Sequence, residues 1–455
     1  MTEPAGDSHE QGLRHQLSAG QIAMLSVGSS IGTGLLLGSG AAVQIAGPAV
    51  ILSYVLGAFL AWTVANALAE LASAHPAAGS FGIYAELYLN PWAGFIARYG
   101  LWFALVTAVG ASLLAASTYS SYWLPGVPAV AWVAVYSILL LFINFASVGS
   151  YARFEYWFAM VKLVTIVAFI LAGSMLLAGG RVASQYQAQG GFLPHGPVSP
   201  LLAVSFALFS FLGIEMVAVS SGEVHSARDI PRAARLTFAL LVFVYVGATV
   251  VLVGVVPAAS SGVSRSPFVT VFDIAGIPAA SSLINLVVLT AALSSANANI
   301  YAASRMLFSL ARGGYAPQAF GRLNASGSPQ AALLVSAVGI PLALATARWW
   351  PHSAFLYVLG ASLFGGMLAW WVGLAAHISF RRRLSPAELA ALPMRTPGGA
   401  WLSAIGFAGI LLAIASTWWV PQTRITIISG LPYLAILTLA YWLSRKPRKG
   451  DTISQ

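Results

Sequence analysis

The stretch MLSVGSSIGTGLLLGSG, Met24 to Gly40, decides how the chain is read. It is apolar enough for a membrane span, yet it carries glycine at 28, 32, 34, 38 and 40. Gly32, Thr33 and Gly34 fall near its middle. An unwound backbone there frees N–H and C=O groups that lipid cannot satisfy, so a break must face protein or a wet cavity. Two readings stand side by side on these residues. Gly34 and Gly38 form a small-xxx-small pair suited to close helix packing. A helix broken at mid-membrane is suited to binding.

A second stretch, SFALFSFLGIEMVAVSSGE, Ser205 to Glu223, repeats the theme with Gly213 and the acidic Glu215. Glu215 lies about 22 Å along a helix from Pro200. A carboxylate at that depth is costly, which points to a function or to a compensating backbone site. Acceptance of hydrogen bonds from an unwound segment is favoured over titration.

Composition sets both stretches in a membrane. Of 455 residues, 22 are Lys or Arg and 12 are Asp or Glu, a charged share of 7%. A soluble domain carries about 25%. Apolar residues make up 58%, so disorder, a coiled coil and an ordinary soluble enzyme are excluded and the solvent is lipid. With no cysteine, disulfides, thiolate metal sites and cysteine nucleophiles are excluded. The seven histidines form no HExxH pair, and no metal or cofactor is expected. The net charge of +10 is spread through short loops, which reads as membrane orientation rather than nucleic-acid binding.

The apolar pattern predicts an all-α polytopic membrane protein with twelve transmembrane helices. They fall near 21–45, 48–72, 91–120, 128–147, 153–179, 200–222, 234–256, 282–311, 330–347, 351–378, 400–420 and 423–444. Gly47-Pro48, Asn90-Pro91, Pro125 to Pro128, Pro257, Pro329 and Pro351 punctuate the series. Residues 1–20 are polar and lack the apolar core of a signal peptide. With the N-terminus cytoplasmic, 17 Lys and Arg fall inside and 4 outside, which places both terminal tails, 1–20 and 445–455, in the cytoplasm.

The glycine breaks at 32–34 and 213 lie about 180 residues apart, and the second and third spans repeat at a similar offset as the seventh and eighth. That spacing predicts two five-helix repeats, 21–179 and 200–378, the second inverted because five is odd. Two extra helices follow over 400–444. Interrupted spans at matching positions of two halves mark a midplane binding site in transporters.

Lys162 is one of three lysines and lies nine residues beyond Arg153, about 13 Å deep along its helix. That is too deep for comfortable snorkelling, so an inward-facing ammonium able to load and lose a proton is favoured. The eighth span is dense in polar groups: Ser294, Ser295, Asn297 and Asn299. Cross-helix hydrogen bonding explains them as well as ligand contact does; Ser294 and Ser295 are weak candidates for an ion or proton site.

Gly28 to Gly32 matches G-x-S-x-G, but no strand precedes it and no histidine lies near mid-span, so an intramembrane serine protease is only a remote alternative. Gly32-x-Gly34 lacks the spacing and βαβ setting of a dinucleotide loop, and no phosphate-binding GKT or GKS occurs.

Taken together, SSIGTGLLLGSG (29–40), ELASAHPAAGSFGIYA (70–85), FEYWFAMVK (154–162), FSFLGIEMVAVSSGE (209–223) with DIPRA (229–233), SRMLFSLARGGYAPQAFGRL (304–323) and MRTPGGAWLSAIG (394–406) resemble bacterial amino acid permeases of the amino acid–polyamine–organocation superfamily. The match runs over nearly all of residues 13–445. The departures are small: the loop between the second and third spans, 73–90, has no Lys or Arg, and Ala69-Glu70 stands where similar proteins have Gly-Glu.

The resemblance implies a five-plus-five inverted repeat with broken helices 1 and 6, working by alternating access. It implies that amides of Gly32, Thr33 and Gly34 hold a substrate α-carboxylate. Carbonyls near Ser30 and Ile31, and at Phe209, Leu212 and Gly213, would hold its α-amino group, with Phe209 as an aromatic lid. Half-helix ends suit both charges. Lys162 falls where some relatives carry a lysine in place of a sodium ion, which implies proton coupling; Glu215 is the second residue assigned to it.

The expectation is a proton-coupled amino acid symporter of the bacterial cytoplasmic membrane. Its partners are a small amino acid, protons and the lipid bilayer, and its pocket leans toward a neutral or aromatic substrate. The alternative on the same fold is a substrate–product exchanger. Oligomeric state is not legible.

Overall fold

The computed structural model describes residues 18–75, 80–146, 151–188, 190–219, 229–324 and 328–444. Both tail ends, Arg14, Arg228 and the basic run from Arg445 lie outside them, as do residues 76–79 and 220–223 of the quoted stretches.

Among the described residues the chain is helical and contains no strand. The first run comprises α1 (Ala19–Ser30), a π-helical turn (Gly34–Gly38), α2 (Ser39–Ala46) and α3 (Val50–Ala74). Then come α4 (Ser80–Tyr88), α5 (Pro91–Ser120), α6 (Ala129–Ala146), α7 (Tyr151–Ala178), α8 (Ser199–Phe211) and α9 (Met216–Val219). The remainder is α10 (Asp229–Val255), α11 (Pro267–Ile274), α12 (Pro278–Arg312), α13 (Gln330–Ser336), α14 (Gly339–Trp349), α15 (Ala354–Arg383), α16 (Pro386–Ala391), α17 (Ala400–Ser416) and α18 (Ile425–Ser444).

Among the described residues ten helical runs are long and apolar enough to cross a membrane, and Ala129–Asn144 is a shorter apolar helix. The first run spans 56 residues, Ala19–Ala74. A crossing needs about 20 residues, so this run holds two. They meet at Gly47, whose φ of 59° and following Pro48 end one helix and start the next.

Helix starts follow local chemistry. Ser18 and Gln21 form a capping box on α1. Asn90 accepts the Ala93 N–H at 2.9 Å, with Pro91 in the first turn of α5. Lipid supplies no hydrophobic drive between helices, so small residues govern their approach. α5 packs against both α12 and α15. At the α5–α15 crossing, a methyl group on Gly365 would overlap the Gly100 carbonyl.

Two expectations of local structure are corrected. The 73–90 connection contains α4, because the nine residues from Ser80 are helix-compatible and half of residues 81–88 are buried. The ninth span is interrupted at Ala337–Val338, between α13 and α14.

Candidate functional site

Both glycine-marked spans are broken. α1 ends at Ile31, which is extended (φ −74°, ψ 90°) while its N–H still bonds the Val27 carbonyl at 2.9 Å. The next half-helix opens with Leu36 N–H bonding the Gly32 carbonyl at 3.2 Å. The amides of Gly32, Thr33, Gly34 and Leu35 therefore form its first turn, the end where N–H groups lack carbonyls of their own helix and the dipole is positive. In the other span α8 ends at Leu212, and Gly213 takes a φ of 110° that only glycine adopts freely.

The breaks face each other. A methyl group on Gly34 would lie 2.7 Å from Phe209 Cδ1 and 3.0 Å from the Ser210 nitrogen. One on Gly213 would lie 2.7 Å from Ser30 Oγ and 3.0 Å from the Ser29 carbonyl carbon. The glycines allow close packing, and what they pack together is the two broken ends. Phe209 is buried with its ring against Gly34.

Glu215 braces the second break. Its Oε2 accepts the Gly213 N–H at 2.9 Å and the Trp370 indole N–H at 3.1 Å. The Gly213 carbonyl accepts the Ser26 hydroxyl at 2.9 Å and the Met216 N–H at 3.0 Å. Gly213 thus has both backbone groups engaged, and the Phe209 carbonyl accepts the Leu212 N–H at 3.3 Å.

Lys162 points inward at 2% exposure and donates from Nζ to the Gly28 carbonyl at 3.1 Å. It lines a cavity of about 10 Å³ together with Ile31, Leu36 and Ala291, the last from α12. Ser295 approaches from the same helix: its Oγ would lie 3.1 Å from a methyl on Gly32. Ser294, beside it, is also buried. The hydroxyls of Ser30 and Ser295 are buried at the breaks with no hydrogen-bond partner among the described residues. A larger cavity of about 220 Å³ lies elsewhere, where Gln44, Gln185 and His195 meet at the ends of α2 and α10.

The residues missed from sequence are Trp370, and the group Glu70, His377 and Arg381. The signal for them was three polar side chains on one face of an otherwise apolar helix, at 370, 377 and 381, with a second acid, Glu70, inside an apolar span. Among the described residues no cluster of His, Asp and Glu has the makings of a metal site.

A family model for amino acid permeases matches residues 21–453. The chain is 35% identical over 441 residues to an uncharacterized amino acid permease of Bacillus subtilis, YtnA, covering 95% of each chain. It is 32% identical over 442 residues to a probable threonine/serine transporter of the same organism, YbxG, again covering 95% of each. To the aromatic amino acid transport protein AroP of Escherichia coli K12 it is 32% identical over 452 residues, covering 98% of each. These relatives are transporters, which removes the serine-protease alternative. On the family match and on relatives that span its whole length, the chain belongs to the amino acid permease family of the amino acid–polyamine–organocation superfamily, as a multi-pass bacterial membrane protein that transports amino acids.

Proposed function

We propose that the protein imports a neutral amino acid across the bacterial cytoplasmic membrane by proton symport with alternating access. Both termini are cytoplasmic, and twelve crossings divide into inverted repeats over 21–179 and 200–378 with two further helices over 400–444. The observation that carries this reading is the apposition of two broken helices, Gly32–Gly34 against Phe209–Gly213, beside a buried lysine. The amides of Gly32, Thr33 and Gly34 offer an anion end to the α-carboxylate. Carbonyls of Ser30, Ile31, Phe209 and Leu212 offer a cation end to the α-amino group.

The unpartnered hydroxyls of Ser30 and Ser295 supply further polar contacts, since buried polar groups are costly without partners; Ser294 flanks them. The breaks pack closely where Gly34 meets Phe209 and Gly213 meets Ser30, so loading requires the two halves to part, which is the motion alternating access provides. Among the described residues no unpaired acid lines the breaks, because Glu215 is engaged by Gly213 and Trp370. That favours a substrate with a neutral side chain, the kind for which two of the relatives are named.

Lys162 couples the proton. Its ammonium holds the Gly28 carbonyl at the end of α1, and loss of its proton weakens that bond, because a neutral amine is a poorer donor than an ammonium. The test is uptake and counterflow in proteoliposomes with an imposed pH gradient. Accumulation driven by an inward proton gradient is expected. Uptake that ignores the gradient and requires internal amino acid would make the protein an exchanger.

A further inference from the structure

One face of α15 holds two buried carboxylates that belong to other helices. Trp370, His377 and Arg381 follow one another at intervals of seven and four residues, so at 3.6 residues per turn they share one side. Trp370 reaches Glu215 in the break between α8 and α9. About 10 and 16 Å farther along the axis, His377 and Arg381 hold Glu70, near the end of α3.

The second grip is much the firmer. Arg381 Nε stands 2.6 Å from Glu70 Oε1, and another guanidinium nitrogen donates to Oε2 at 2.8 Å. His377 Nε2 lies 3.2 Å from the same Oε2, which also accepts the Thr396 N–H at 2.5 Å. His377 is fixed in turn by Ser403 at 2.8 Å from its Nδ1. Glu70 and His377 are wholly buried. A buried pair with several supporting bonds resists separation, because parting it strands a charge. The Trp370 end rests on one hydrogen bond and on packing: a methyl on Gly366, one turn earlier, would lie 2.7 Å from Leu212 Cδ1.

We propose that Glu70, acting through Arg381 and His377, is a positioning residue for transport. It fixes α15 along its axis, and α15 thereby sets where Trp370 holds the Glu215–Gly213 turn. Movement of α3 relative to the break is passed by this rod to the weaker end, so the turn yields before the ion pair does. The inference rests on the reading of the breaks as the substrate site, and its test is independent of any substrate.

The chain has no cysteine, so a single introduced thiol reports its own exposure. Met216→Cys places one beside the turn, and Ser112→Cys places one in the buried part of α5, where it senses loosening of the whole bundle. The full-length protein is labelled with a maleimide in proteoliposomes. Glu70→Gln and Trp370→Phe are each expected to speed labelling at Met216→Cys about tenfold, and their combination no more than the faster single change, because they disturb one connection. Ser112→Cys is expected to label at an unchanged rate.

Multiplying effects in the combined variant, unchanged labelling at Met216→Cys, or an equal rise at Ser112→Cys would overturn the proposal. Where Glu70→Gln does not elute as a folded protein, Arg381→Lys takes its place, since it keeps the charge and loses the planar fork. In exchange assays the same variants are expected to lower the maximal rate while leaving half-saturation within about twofold, the pattern of an interaction outside the bound substrate. A protein that labels as described but moves no amino acid would overturn the transport reading and leave this one standing.

Discussion

Gly213 and Ser30 approach so closely that a methyl group on the glycine would lie 2.7 Å from the serine hydroxyl oxygen and 2.8 Å from its backbone nitrogen. The two are 183 positions apart in the chain, and between them they set the distance between the broken helices. Gly213 also carries a φ of 110°. Space and backbone therefore both demand glycine.

Gly213→Ala should consequently abolish amino acid uptake. The strained φ alone costs about 1–3 kcal/mol, and the overlap with Ser30 adds to it. The check is paired: a thermal melt of the purified protein in detergent and uptake in proteoliposomes. A folded Gly213→Ala protein with normal uptake would remove the close apposition from the mechanism.

The glycines of the first break are not equivalent. A methyl group on Gly34 meets the backbone of Ser210 at 2.9 Å, which cannot step aside, whereas on Gly38 its contacts begin at an ordinary 3.5 Å. On Gly32 it meets only the Ser295 hydroxyl, at 3.1 Å. Uptake should therefore vanish in Gly34→Val, survive in Gly38→Ala, and fall in Gly32→Ala by a part that Ser295→Gly restores. Overpacking of the Gly34 kind costs about 1–3 kcal/mol. Equal behaviour of Gly34→Val and Gly38→Ala would refute the assignment of the break.

Much of this site was legible in the sequence, for a physical reason. Glycine and an acid inside a membrane span are expensive, so Gly32–Gly34, Gly213 and Glu215 advertise themselves against an apolar background. Lys162 did so by depth, and its side chain does turn inward. What could not be read is which helices meet. Trp370 is an unremarkable residue in a membrane helix until Glu215 is found beneath it. His377 and Arg381 looked like the polar end of a span, because Glu70, which buries them, lies over 300 positions away. Likewise nothing in the spacing of Gly34 and Gly38 reveals that the intervening turn is widened to a π-helix.

Lys162→Gln should separate coupling from exchange. The amide retains a donor for the Gly28 carbonyl, which accepts from Lys162 at 3.1 Å, but it carries no titratable proton. Accumulation driven by a pH gradient should fall to the equilibrium level while counterflow persists. The two assays are run on the same vesicles, with and without the gradient. Full accumulation by Lys162→Gln would place the coupling proton elsewhere.

Glu215 offers a sharper contrast because two different roles predict opposite outcomes. One oxygen, Oε2, accepts both the Gly213 N–H and the Trp370 N–H. A glutamine carbonyl has two lone pairs and can accept the same two bonds. If the side chain is a brace, Glu215→Gln keeps most of the uptake rate and its dependence on the gradient. Glu215→Leu strands both donors, at a cost of about 1–3 kcal/mol for each buried group left unpaired, and should lose uptake. If instead Glu215 relays the proton, Glu215→Gln should fail in the manner of Lys162→Gln, with exchange preserved and accumulation lost. Measuring initial rates and steady-state accumulation for both variants decides between them, and the two hydrogen bonds accepted from Gly213 and Trp370 make the brace the expected result.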